Sequence, residues 1–255
     1  GTFTYKSSNS DVVHINGSNM RIIGAGQTTI TATQLPDGGY TRGQSVIQCT
    51  VQRASRYIRD FKLPQLDPTK NTYELSPPEF DGIDRVVTYT SSNESVASIK
   101  TTNIASLQIK GFGTTTITAH LNETPNYEGA DIRSELNVQR PKISFGIPQT
   151  AKRQSDGSYE IFDGTYPFNA IFNTTCKISY ESSNPEIANI DANGNVNALK
   201  TGNTQLIAKT IAYGIEVPEH ITLHVVNKKQ KFVDDLTASL SDSKSESLTK
   251  RDEKI

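Results

Sequence analysis

Between Gly113 and Leu121 apolar and polar side chains take turns: Ile117 and Ala119 fall on one face of an extended chain, Thr116 and Thr118 on the other. A period of two marks a half-buried strand, whereas a helix would repeat every 3.6 residues. The pattern predicts that Ile117 and Ala119 face a core and that the two threonines face out. Similar runs recur along the chain, rich in the β-branched Val, Ile and Thr that suit a pleated surface. Gly, Asn, Ser and Asp punctuate them, as turn formers do. The stretch "DANGNV" at 191–196 sets an Asn-Gly pair between two apolar runs and predicts a hairpin. Many short, regularly punctuated strands imply an all-β fold of sandwich type.

The alternation itself repeats. "YKSSNSDVV" from Tyr5, "YTSSNESVA" from Tyr89 and "YESSNPEIA" from Tyr180 align, and everything downstream falls into register. Val12, Val96 and Ile187 correspond, as do Ile15, Ile99 and Ile190. The glycines Gly26, Gly113 and Gly202 correspond; four residues on lie Ile30, Ile117 and Leu206, and six on lie Ala32, Ala119 and Ala208. Each copy closes on a similar phrase, "TVQR" at 50–53, "NVQR" at 137–140 and "VVNK" at 225–228, so the repeat is 87 or 88 residues long. Within it the Tyr ends a strand and Ser-Ser-Asn turns the chain, because these side chains bond nearby backbone groups. Recurrence at one place in every copy favours a turn over a nucleophile or ligand loop.

"YTSSNESVASI" followed by "IKGFGTTTITA" resembles the bacterial immunoglobulin-like domain, group 2, of the invasin and intimin type. The second copy fits that pattern best. The first has Val13 where Ala is usual, and the third has Thr201-Gly202-Asn203 in place of Gly-x-Gly-Thr while keeping Ala208. The resemblance covers residues 1 to about 227. It implies two-sheet sandwiches in tandem, forming a rod with roughly 35–40 Å per domain, used as spacers or adhesive modules in surface proteins and viral structural proteins. The expected domains are 1–53, an Ig-like domain lacking its first strands; 54–140 and 141–227, complete Ig-like domains; and 228–255, a polar linker or short helix.

The first domain is expected to be incomplete because 35 residues separate Arg53 from Tyr89 and 39 separate Arg140 from Tyr180, while four precede Tyr5. About thirty residues, equivalent to two strands, are missing from it, which points to a segment of a longer polypeptide. In the tail, Phe232, Leu236 and Leu240 at i, i+4 and i+8 predict a short amphipathic helix, and the rest reads as a solvated linker.

Composition narrows the function classes. Lys plus Arg number 26 and Asp plus Glu 27, so no large field recruits nucleic acid. No apolar run reaches the roughly 18 residues needed to span a bilayer. Cys49 and Cys176 fall in different domains and read as buried thiols, not a disulfide. His220 and His224, spaced i, i+4, would sit about 13 Å apart on a strand, too far to share a metal; His14 and His120 stand alone. "DANGN" carries its Gly too early for a calcium loop, with Gly202 where Glu should close it. "GAGQTT" and "GFGTTT" lack the third glycine of a dinucleotide loop. The sequons at Asn16, Asn93, Asn122 and Asn173 are as many as chance supplies. Tyr40 and Tyr127 occupy corresponding loops, where tyrosines usually pack down on the sandwich.

No catalytic, cofactor-binding or metal-binding residue is therefore expected. The leading expectation is a non-catalytic structural or spacer segment of a larger surface or virion protein: fibre, spike or capsid-associated. Its partners would be other structural proteins of the same assembly. The alternative is a bacterial cell-surface adhesin module that binds glycan or receptor through loops. Either places the chain on a virion or outside the cell.

Overall fold

The computed structural model describes residues 1–80 and 86–252, with side chains as far as Ser241. The chain divides into two compact units. One comprises Gly1–Gln65 and Thr72–Val138, the other Leu66–Asn71 and Gln139–Ile255.

The first unit begins with β1 (Phe3–Ser7), β2 (Val13–Asn16), β3 (Asn19–Ile22), β4 (Gly26–Gln34) and β5 (Gly43–Val51). They form a sheet in the order β1-β4-β5 and a β2-β3 hairpin. It continues with β6 (Ile58–Asp60), β7 (Thr72–Glu74), β8 (Glu79–Phe80), β9 (Val87–Ser91), β10 (Ala97–Thr101), β11 (Ala105–Ile109), β12 (Gly113–Leu121) and β13 (Ala130–Val138). Here the sheets are β13-β12-β9 and β10-β11-β7, with a β6-β8 pair beside them. Alternation sets the register, as predicted. Ile117, Ala119 and Leu121 are fully buried between the sheets, together with Leu107, Leu136 and Val138. Thr116 and Thr118 lie on the other face, half-buried rather than fully exposed.

The second unit holds β14 (Ile143–Phe145), β15 (Lys152–Arg153), β16 (Tyr159–Phe162), β17 (Gly164–Pro167), β18 (Ala170–Phe172), β19 (Ile178–Ser182), β20 (Ala188–Ile190), β21 (Asn195–Ala198), β22 (Gly202–Ala212) and β23 (Ile215–Val226). A five-stranded sheet, β15-β16-β23-β22-β19, faces β17-β21-β20, with β14-β18 at the side. Ile161, Phe168, Val196, Leu206 and Leu223 fill the space between. The "DANG" turn joins β20 to β21, and Gly194 supplies the positive φ of 83° that it needs. Leu66–Asn71 belong to this unit, where the Tyr213 amide donates to the Pro68 carbonyl at 2.6 Å.

The tail departs from expectation. It forms α1 (Lys228–Asp252), a helix of 25 residues rather than a short one. Asn227 caps it: its side-chain oxygen accepts the Gln230 amide at 3.0 Å and its carbonyl accepts the Lys231 amide at 3.0 Å. The tail carries no Gly or Pro to end the helix early. Two contacts anchor its first turn. The Lys228 amide donates to Asp163 Oδ1 at 2.9 Å, and Lys231 Nζ lies 3.0 Å from Glu160 Oε1. The hydrogen bond to Glu160 holds the Lys231 ammonium above its ordinary pKa. Phe232, Leu236 and Leu240 point to solvent. Residues 253–255 of the expected tail lie outside the described residues.

The thiols differ too. Cys176 is buried, but Cys49 is only half-buried, because the sandwich around β5 is open. No described helix is long and apolar enough to cross a membrane.

Candidate functional site

The motif that recurs in sequence makes the same contacts three times. In the second copy the buried Thr115 Oγ1 lies 2.9 Å from Ser91 Oγ and 3.3 Å from Ser92 Oγ, and it accepts the Asn93 amide at 2.9 Å. Thr28 does the same for Ser7, Ser8 and Asn9 at 2.8, 3.2 and 3.0 Å. Thr204 repeats it with Ser182, Ser183 and Asn184 at 2.9, 3.3 and 3.0 Å. The second serine of each pair accepts the amide that follows the threonine, from Thr29, Thr116 and Gln205, at 2.8–2.9 Å. Each Asn carbonyl then receives two amides, those of Val12 and Val13, Val96 and Ala97, or Ile187 and Ala188. One buried hydroxyl thus ties the turn of one strand to the strand beside it. A polar atom this deep costs free energy unless bonded, so the clasp fixes a single register.

The aligned glycines belong to this clasp. Gly26, Gly113 and Gly202 have φ of 142°, 131° and 145°, a region that side chains disfavour. A Cβ there would meet Val12, Val96 or Ile187 at 2.8, 3.3 or 2.7 Å. The Ser-Ser-Asn stretch is therefore structural in all three places. Sequence reading missed the threonine, although it stands two residues after the glycine in "GQT", "GTT" and "GNT".

A second cluster joins the first two copies within the first unit. The linker residue Ala54 pairs with the β12–β13 loop as a parallel bridge to Tyr127. Its amide donates to the Asn126 carbonyl and its carbonyl accepts the Glu128 amide, each at 2.9 Å. The Asn126 side chain reaches back to the first copy, where its Oδ1 accepts the Ala25 amide at 2.9 Å. Arg53 contacts Glu123 and Ser55 contacts Glu128, both at 2.8 Å. The Arg56 guanidinium lies over the Tyr127 ring at 5.1 Å and the Phe80 ring at 5.7 Å. Tyr127 packs as expected; Tyr40, its counterpart, is 75% exposed. Nothing in the sequence marks Asn126, since it occurs in no repeat.

The residues weighed for chemistry stay apart. His220 and His224 sit on β23, and His14 lies on β2. His120 pairs across the ladder with Asp131 at an exposed position. No three His, Cys, Asp or Glu side chains come together to suit a metal among the described residues. Asp191 spends its carboxylate on its own turn, accepting the Asn193 and Asn195 amides and the Asn195 side chain. Those bonds, the Asn195 side chain first, hold its pKa below the ordinary carboxylate value. Asp156 is lowered likewise, chiefly by the Ser158 hydroxyl.

Residues 148–209, which include the third clasp, match the family model of the bacterial Ig-like domain (group 2). No curated protein matches the sequence. Several solved structures are similar. The Drosophila N-cadherin EC1-3 structure shares 11% identity at a TM-score of 0.31, over 89% of this chain and 90% of that one. The S-layer protein rSbsC(31-844) shares 15% identity at a TM-score of 0.29, over 88% of this chain and 35% of that one. The C-terminal 282-residue fragment of intimin, solved with the intimin-binding domain of the translocated intimin receptor, shares 12% identity at a TM-score of 0.29, over 89% of this chain and 65% of that one. The chain spans about a third of the S-layer chain and just under two thirds of the intimin complex chain.

Proposed function

We propose that this chain, whose residues 148–209 match the family model of the bacterial Ig-like domain (group 2), is a non-catalytic spacer built of three such domains at 1–53, 54–140 and 141–227. It would serve within a larger surface or virion protein, set among other structural proteins of the same assembly. The observation that carries this reading is the bonded linker at Ala54. Free linkers let neighbouring domains move independently, and relative motion is the default when few contacts cross a boundary. Here the Asn126 side chain crosses it to the Ala25 amide and Arg53 crosses it to Glu123, while two backbone bonds hold Ala54, the first residue past it, to the same loop. A stiff joint suits a part that transmits position rather than one that closes around a substrate.

Residual dipolar couplings on the full chain test this. Residues 1–53 and 54–138 should share one alignment tensor. Independent tensors would sink the spacer reading, and binding on a glycan array would replace it with the adhesin reading.

A further inference from the structure

The first copy carries the same inward-facing residues as the others, without their cover. Strand pairing makes the comparison like for like. Ile15 opposes Met20 as Ile99 opposes Leu107 and as Ile190 opposes Val196. Val13 opposes Ile22 as Ala97 opposes Ile109 and Ala188 opposes Ala198. Yet Met20 and Ile22 are 62% and 64% exposed, while Leu107 and Val196 are at 0% and Ile109 and Ala198 at 3% and 4%. On the other sheet, Cys49 and Val51 correspond to Leu223 and Val225 by their pairing with Thr28 and Gly26. They are half-buried where their counterparts are buried.

The third copy shows what belongs there. One nearly continuous stretch covers both places. Strand β16 runs parallel to β23 with Ile161 opposite Val225, and β17 runs antiparallel to β21 with Tyr166 opposite Val196. Only Asp163 separates them, and Gly164, at a φ of 138°, makes the switch from one sheet to the other. Phe168 follows and is fully buried. The second copy covers Leu107 with an aromatic residue in the same way, Tyr73 of β7. Among the described residues nothing pairs with the outer edges of β5 and β3.

We infer that residues 1–53 form a strand-accepting site. Its occupant is one extended segment from outside residues 1–255, with an aliphatic residue opposite Val51, a glycine at the crossing and an aromatic residue opposite Met20. It pairs parallel to β5 and then antiparallel to β3, completing two ladders whose backbone groups are open. A second copy of the chain is a poor donor. Its matching segment is already committed to its own core, with Ile161 at 1% and Phe168 at 0% exposure. The inference rests on the three-copy organisation and is independent of the spacer role.

The test uses the full chain and a synthetic peptide with the sequence of residues 157–169, added in solution and, separately, fused through a flexible linker ahead of Gly1. Fusion raises the effective concentration to about millimolar, so weak pairing still registers. Amide hydrogen exchange at residues 19–22 and 49–51 is the readout. Exchange there should slow by about tenfold or more in the fused protein. The same fusion carrying Asp in place of the peptide's counterpart to Ile161 should not slow it. Unchanged exchange in the fused protein, or protection by the Asp form as well, overturns the inference. So does protection of these strands in the unmodified chain that grows with its own concentration, which would make a second copy the occupant.

Discussion

The Thr115 hydroxyl lies 2.9 Å from that of Ser91, buried at 2% exposure on a strand whose next residue, Thr116, is half-buried on the other face. Two adjacent threonines thus do unlike work. Thr115→Val keeps the shape and removes the acceptor, leaving the Asn93 amide and two serine hydroxyls short of a partner. It should cost the second copy about 1–3 kcal/mol, and Thr115→Ser should restore most of that. Denaturant melts of the full chain, followed by exchange at residues 91–97, measure it. Equal stability of the Val and wild-type proteins would remove the clasp from the account of the fold.

Ile117, beside that clasp, should behave as a core residue. Ile117→Ala should cost about 2–5 kcal/mol and Thr116→Ala well under 1 kcal/mol. A small domain holds about 5–10 kcal/mol in all, so the first change should unfold the second copy ahead of the third. A larger loss for Thr116→Ala would mean that β12 presents its other face to the core.

The pair also shows what sequence discloses and what it hides. The alternation of Ile117 and Ala119 with their threonines sets strand, face and register, because period two is a property of the backbone. Repetition then promotes Ser-Ser-Asn from a local turn to a fold element. The partner of that turn is some twenty residues away, and a threonine amid threonines carries no mark of burial. Asn126 is hidden for a different reason: its role depends on where a neighbouring copy lies, which no single repeat encodes. The helix outruns its own apolar spacing, which fades after Leu240, because the tail holds no Gly or Pro to stop it and Asn227 caps its start.

Gly202 should resist substitution more than its exposure suggests. Its φ of 145° is unfavourable to any side chain, and a Cβ would come within 2.7 Å of Ile187 Cδ1. Gly202→Ala should destabilise the third copy by about 1–3 kcal/mol. Ile187→Val, which shortens the obstructing side chain, should recover part of the loss in the double variant. Additive losses in a double-mutant cycle would show that the two do not meet.

Acid should weaken the third copy through its turns. The folded state lowers the pKa of Asp191, by the Asn195 side chain and nearby amides, and of Asp156, by Ser158. A lowered folded pKa means that the carboxylate form is favoured by folding. The contribution is whole above the unfolded value of about 3.9 and disappears as pH falls through the folded value. Melting temperature should therefore hold from pH 7 to about 5 and fall below about 4. Asp191→Asn should flatten part of that fall while lowering stability at pH 7. An identical acid slope in the variant would assign the loss to other groups.

The joint offers the sharpest separation of folding from spacing. Asn126 Oδ1 accepts the Ala25 amide at 2.9 Å, while the Asn126 carbonyl separately accepts the Ala54 amide. Asn126→Ala deletes the first bond and leaves the second. The loss to the joint should be about 0.5–1.5 kcal/mol, too little to unfold either copy, because both clasps stay intact. Gly24→Ala attacks the same contact from the other side, placing a methyl 2.9 Å from Asn126 Oδ1 and 3.0 Å from the Asp11 carbonyl. Both variants should speed exchange of the Ala25 amide and let the alignment tensors of residues 1–53 and 54–138 drift apart. Exchange at Thr28 and Thr115 should not change in the Asn126 variant. If the tensors stay locked with the Ala25 bond gone, the stiffness resides in the Ala54 bridge and the Arg53–Glu123 pair, and the Asn126 side chain is an ornament of the loop.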